Sequence, residues 1–207
     1  MPLSLRKQFR LQTSGVALPL IAMGIGINLV MGEITALARI PLYLDSIGTI
    51  FIAASCGMYA GVVCGILSNI VAGIIFNPMM IFFAPVSAVI GMISGWFGLH
   101  GGFRKLLTAA PLGILQGIIS ALVSAPIAAF VFGGMTLGGT DFLVLYFRSI
   151  GKSILDSVLY QGLTSDPVDK CVSYIIVALM LQRLPLSLRV RLPQYSASFS
   201  TAKDAMK

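Results

Sequence analysis

From Val16 to Ala38 the chain carries a single ionisable side chain, Glu33, and from Ala109 to Phe132 it carries none. Runs of this kind constrain the fold more than any motif. A helix needs about 20 apolar residues to cross the hydrocarbon of a bilayer. In water, such runs would have to be buried on every side. The remainder of the chain cannot supply the cover: 57% of the 207 residues are hydrophobic and only 10% are charged, against about 25% charged in soluble domains. The expectation is an all-α integral membrane protein, because a helix satisfies its own backbone hydrogen bonds in lipid.

Turn signals divide the runs into six expected spans: Val16–Ala38, Leu42–Ser55, Gly57–Phe76, Met79–Leu99, Ala109–Phe132 and Val168–Leu184. Arg39-Ile40-Pro41, Asn77-Pro78, the basic loop 100–108 and Gly133-Gly134 separate them. Leu42–Ser55 is short for a crossing and reads as tilted or partly re-entrant. Residues 135–166 mix Asp141, Arg148, Lys152, Asp156 and Asp166 with apolar positions at helical spacing (Phe142, Leu145, Tyr146, Ile150), so they read as an outer loop carrying an amphipathic helix. Residues 1–15 read as a basic cytoplasmic N-terminus leading into an uncleaved first span, and 186–207 as a basic, polar cytoplasmic tail. A six-helix bundle with both termini inside puts Arg6, Lys7, Arg10, Arg104, Lys105, Arg183, Arg189, Arg191, Lys203 and Lys207 in the cytoplasm. These are 10 of the 14 basic residues, the positive-inside pattern.

Small residues recur at every fourth position: Gly57, Gly61, Gly65, Asn69 and Gly73; Ser87, Gly91 and Gly95; Gly113, Gly117, Ala121, Ala125 and Ala129; and Ala22 with Gly26. Such stripes let helices approach to backbone contact. Packing between the chain's own helices is one reading, and contact with another molecule is the alternative.

Polar groups in or beside the spans are the functional candidates, since their burial in lipid is expensive. In this topology Glu33, Asp45, Asn69, Asn77, Asp166, Asp169 and Lys170 all fall toward the outer side, and Gln116 toward the inner half. Their convergence points to a pocket open to the outside with an apolar body and a few oriented polar groups. Asp45 sits at the mouth of an apolar run, and Asn69 lies in the outer half of the third span. Each group also has a plain structural reading. Glu33 pairs with Arg39; Asp45 caps the second helix; Asp166, just before Pro167, caps the sixth; Asp169 and Lys170 are solvated interface charges; Asn69 only packs a neighbouring helix. Trp96 reads as an interface anchor.

The net charge of +7 follows from the positive-inside bias, and no nucleic-acid motif is present. No phosphate-binding G-x-x-x-x-G-K-[ST] loop occurs, and the single histidine, His100, leaves a zinc site or a histidine-based triad without parts. The cysteines Cys56, Cys64 and Cys171 have no metal-ligand spacing and read as small apolar residues. No channel-filter motif is visible. The expectation is therefore no catalytic residues, no metal and no cofactor.

Three runs carry a family resemblance: L-Y-L-D-S-I-G-T-I-F-I-A-A from Leu42, G-M-Y-A-G-V-V-C-G-I-L-S-N-I from Gly57, and S-D-P-V-D-K-C-V-S-Y-I-I-V-A from Ser165, ahead of Arg183-Leu184-Pro185. Over roughly Val16 to Pro185 the chain resembles the substrate-binding membrane subunits of energy-coupling factor (ECF) transporters, the S components. The resemblance implies a six-helix bundle in a bacterial or archaeal cytoplasmic membrane that binds a vitamin or similar micronutrient from outside. It implies as partners a transmembrane scaffold subunit and two cytoplasmic ATPase subunits. The family's Ala-x-x-x-Ala-type scaffold contact would fall on Ala22 and Gly26, and its ligand-covering loop on Arg39–Asp45. Tyr43, with Tyr160, would be the outer-side aromatics available to a ligand. The substrate-binding set is then Glu33, Tyr43, Asp45, Asn69, Asn77, Asp166 and Lys170. A membrane ligand-sensing module and a small independent permease are the alternatives.

Overall fold

The computed structural model describes residues 17–136, 138–185 and 192; the basic N-terminus read at 1–15 and all of the 186–207 tail except Leu192 lie outside the described residues. Among the described residues the chain forms α-helices and one 3-10 helix, with no strand. The helices are α1 (Ala17–Leu37), α2 (Ile47–Cys56), α3 (Met58–Ile75), α4 (Ala84–Leu99), α5 (Leu106–Phe132), α6 (Asp141–Ser149) and α7 (Ile154–Arg183), and the 3-10 helix Pro78–Phe83 leads into α4.

Four stretches, Leu18–Leu37, Met58–Ile75, Pro78–Leu99 and Leu106–Phe132, are long and apolar enough to cross a membrane. Their outward faces are apolar: Leu18, Ile74, Leu107 and Phe130 are each at least 75% exposed. Asn28, Thr49, Gln116, Asp169 and Lys170 are buried inside. Apolar outside and polar inside is the arrangement of a membrane-embedded, multi-pass helical protein, where lipid takes the place of water around the bundle.

The expected second span, Leu42–Ser55, divides in two. Residues 38–46 are irregular, and α2 has only ten residues, all of them buried, giving a length of about 15 Å. It is a core helix, packed against α1, α3, α4 and α7. Irregular backbone is tolerated at membrane depth only where protein or a cavity surrounds it; residues 42–46 are buried or half-buried, while 38–41 are exposed. Asp169 Oδ1 accepts hydrogen bonds from the Tyr43 and Leu44 backbone N–H groups, so these donors need no helical partner. At its other end α2 turns into α3 through Gly57, whose φ of 111° and ψ of 167° belong to a region open essentially to glycine alone.

The last helix also departs from expectation. It begins at Ile154 instead of Val168 and runs for 30 residues, about 45 Å. Its start carries a clear cap: Ser153 Oγ accepts from Asp156 N–H at 3.1 Å and donates to the Asp156 carboxylate at 2.7 Å, the reciprocal logic of a capping box. Pro167 therefore lies inside the helix. The amphipathic helix expected within 135–166 is the shorter α6, with Val144 buried and Phe142, Leu145 and Tyr146 exposed.

The small-residue stripes mostly serve the chain's own packing. A Cβ on Gly61 or Gly91 would meet the facing helix of the α3–α4 pair, and one on Gly65 would lie 2.7 Å from Ser87 O. On α5, a Cβ on Gly113 would lie 2.6 Å from Lys170 O, and Gly117 faces Asp166 and Pro167 backbone. The glycines thus let α5 close on α7 where Pro167 deforms it. Ala22 and Gly26 differ: both are exposed, and a Cβ on Gly26 would meet nothing within 4 Å.

Away from α6, the bundle end holding Gly57 and the 100–105 loop is filled by aromatics. Phe103 stacks on Tyr174 at 5.0 Å and Phe97 meets the same ring edge-on at 6.3 Å. Leu192 is buried against this core.

Candidate functional site

At the opposite end the helices enclose a cavity of about 500 Å³, within the range of small-molecule sites. The C-terminal half of α1, the 38–46 segment, the end of α3, the 3-10 helix with the start of α4, the middle of α5, Thr136, Gly138 and Gly139, and the first half of α7 contribute to its wall. Its polar side comes from α1, 38–46 and α7; Met79, Phe83, Val86 and Ile90 make an apolar side on the 3-10 helix and α4. All seven sequence-derived candidates, Glu33, Tyr43, Asp45, Asn69, Asn77, Asp166 and Lys170, line this one cavity.

Lys170 is the electrostatic centre. It is 4% exposed and lies on α7, one residue after the fully buried Asp169. Its Nζ donates to Asp169 Oδ2 at 2.5 Å and to Ser46 Oγ at 2.8 Å, and stands 3.8 Å from Asp45 Oδ1. The expectation of solvated interface charges for Asp169 and Lys170 is thus overturned, because α7 carries them through the core. Asp169 faces the other way from the cavity. Between Lys170 and the two backbone N–H groups of 38–46 its carboxylate is fully used, so it anchors the segment and neutralises the lysine.

Asp45 does not cap α2. The N-cap is Ser46, whose side chain makes no capping bond. The Asp45 side chain is 41% exposed and lines the cavity. Its nearest cation is Lys170 Nζ, 3.8 Å from Asp45 Oδ1. Tyr43 is held by Thr140, with 2.6 Å between the two hydroxyls, and by Gln161 Nε2 at 3.3 Å.

Asp166 is not a helix cap either, since it lies in the interior of α7. It is 7% exposed and accepts one bond, from Ser165 Oγ at 3.3 Å. Asn69 Nδ2 donates to Ser87 Oγ at 2.5 Å and to Gly65 O at 3.2 Å. It therefore ties α3 to α4 while lining the cavity. Asn77 caps the 3-10 helix through Met79 N–H at 3.1 Å. Glu33 is half-buried at the wall and makes no ion pair with Arg39.

Three other expected features fall outside the cavity. Tyr160 does not line it and instead lies under Lys152, 5.5 Å from the ring centroid. Gln116 is fully buried and serves the core, donating to Ser120 and accepting from Tyr174. Trp96 is half exposed at the far end, 4.5 Å from the His100 ring.

Sequence reasoning missed Asn28 and Gln161. Asn28 makes four bonds, donating to Thr49 and Ser68 and accepting from Gly48 and Thr49 N–H, which tie α1, α2 and α3 together beneath the cavity. An amide in the middle of the first apolar run is the same signal as Asn69 and was available. Gln161 was hidden because 135–166 read as a loop.

The cavity offers carboxyl groups, amides and hydroxyls around an apolar slot, with its one lysine paired to Asp169. Among the described residues no group of His, Cys, Asp or Glu is arranged to hold a metal ion. No protein family, curated protein or solved structure matched the chain.

Proposed function

We propose that this protein is the substrate-capture subunit of a micronutrient uptake system, an S component of the ECF type, in a bacterial or archaeal cytoplasmic membrane. The observation that carries the reading is the cavity of about 500 Å³, set inside an apolar bundle and lined by the seven polar candidates. In this reading α1, α3, α4, α5 and α7 each cross the membrane, and 38–46 with α2 makes the remaining passage. Six passages return both termini to the cytoplasm, with Arg104, Lys105 and Arg183 on that side. The cavity then opens outward, and 38–46 forms its cover.

The chain has no phosphate-binding loop of its own, so energy for uptake comes from a scaffold subunit and two ATPases. The exposed stripe Leu18, Ala22, Gly26, Val30 and Ile34 on α1 suits a partner helix, because it is apolar, has a small centre and is not used by the chain's own helices.

The test is a thermal-shift screen of the purified full chain in detergent against B vitamins, their precursors and modified nucleobases. A bound ligand raises apparent stability by mass action. One tight ligand is expected, with Asp45→Ala and Asn69→Leu each weakening it by about tenfold or more. Uptake in proteoliposomes is expected only when scaffold and ATPases are added. Uptake by the chain alone would make it an independent permease, and silence across the whole panel would remove the capture reading.

A further inference from the structure

The cavity's polar wall is one-sided in its hydrogen-bonding sense. The amide donors deep in that wall are spent within the protein. Asn69 Nδ2 is taken by Gly65 O and Ser87 Oγ. Because Gly65 O can only accept, this fixes which end of the amide is nitrogen. Gln161 Nε2 is taken by Ser165 and Tyr43, and Ser165 spends its own proton on Gln161 O or Asp166. Lys170 is shared among Asp169, Ser46 and Asp45. The oxygens of the same groups are left over. Asn69 Oδ1, Gln161 Oε1, Asp166 Oδ2 and the Glu33 carboxylate have no hydrogen-bond partner among the described residues, and all four residues line the cavity. The donors that remain are the Asn77 amide and serine hydroxyls, and the latter serve either sense.

Charge points the same way. The acidic side chains lining the cavity are Glu33, Asp45 and Asp166 against the single basic Lys170, and Lys170 already has Asp169 as its partner behind the wall. Asp166 is the sharpest element. Its side chain is more than nine-tenths buried, carries one bond at 3.3 Å, and presents its second oxygen without a partner. That oxygen is not fully enclosed, so it is open to a donor entering the cavity.

We infer that the cavity takes an amphipathic ligand with a positively charged, N–H-rich head, of the class of protonated amines, amidines or aminated nitrogen heterocycles, bound head-first against Asp166 and Glu33 with its apolar body toward Phe83, Val86 and Ile90. This rests on the reading of the cavity as a capture site and adds the chemical class of what is captured. A negatively charged ligand meets three carboxyl groups and bare carbonyl oxygens in this wall against few free donors, so it is disfavoured.

The probe is an isosteric charge series on one ring: benzamidinium, benzamide and benzoate at millimolar concentration, read by thermal shift and calorimetry on the full chain in detergent. Benzamidinium alone should bind. Asp166→Asn keeps the side-chain shape and should weaken that binding by about tenfold or more while leaving the ligand-free melting temperature close to wild type. Glu33→Gln, on a half-buried and unpaired residue, is the second variant and should also weaken it. Binding of benzamide or benzoate as tightly as benzamidinium overturns the inference and leaves the capture reading standing. So does benzamidinium binding unchanged in both variants. If none of the three binds while a compound of the vitamin panel does, the cationic class falls alone; if nothing binds at all, both readings fall.

Discussion

The two ends of this bundle are made from the same helices and are packed in opposite ways. At the end with Gly57, α3 and α4 meet through Gly61 and Gly91, and Met58 lies against Gly95. Phe97, Phe103 and Tyr174 fill what space is left. At the other end α3, the 3-10 helix and α4 present Asn69, Ala72, Phe83 and Val86 to the cavity. Polar groups follow the same division. The Tyr174 hydroxyl is used by Ser94 and Gln116, whereas Asp166 and Gln161 keep free oxygens. Glycine-mediated contact makes one end a rigid frame, so that the other can keep a volume open without collapsing.

The comparison can be broken most severely at Asp169. Removing its carboxylate leaves Lys170 buried with only the more distant Asp45, and frees the two backbone donors it holds. Asp169→Ala should cost about 4 kcal/mol of stability, measured by denaturant unfolding in detergent. The double variant Asp169→Ala, Lys170→Met should recover much of that loss. If the single variant is as stable as wild type, the hollow end does not depend on this anchor. Next in size is Gly91→Ala at the dense end. Its new methyl would meet Gly61 backbone 2.5 Å away, and helix separation should cost about 2 kcal/mol. Any ligand found for the cavity should keep its affinity in that variant; a parallel loss would mean that the two ends are not separable.

Much of this was legible one residue at a time. The uncharged runs mark four spans, and the charge that did occur in them, with Asn69 and Asn77, belongs to one end of the molecule. Glu33, Tyr43, Asp45, Asn69, Asn77, Asp166 and Lys170 come from five segments and share one cavity. They do so because an ionisable group in a lipid-embedded chain has few tolerable places. The start of α7 was also readable from Ser153 and Asp156 at capping spacing, but Pro167 drew the boundary forward. Proline is a weak stop where a neighbouring helix can adjust to it, and Gly117 of α5 is what adjusts here.

Which groups are spent and which are free was not legible. Asp169 and Lys170 are adjacent in sequence, and nothing in their neighbours says that one anchors a distant loop while the other lines a cavity. Asn28, Asn69 and Gln116 are three amides in apolar runs, yet the first is saturated by α2 and α3, the second lines the cavity, and the third supports Tyr174. Composition and periodicity by themselves determined that the chain is a helical membrane protein with its polar groups gathered at one end, since lipid penalises each exposed charge independently of the others. Only the tertiary structure decided that 38–46 is an irregular segment set into the bundle and that the leftover hydrogen-bonding capacity is acceptors. Hydrogen-bond satisfaction is a property of pairs, and the partners here lie up to 126 positions apart.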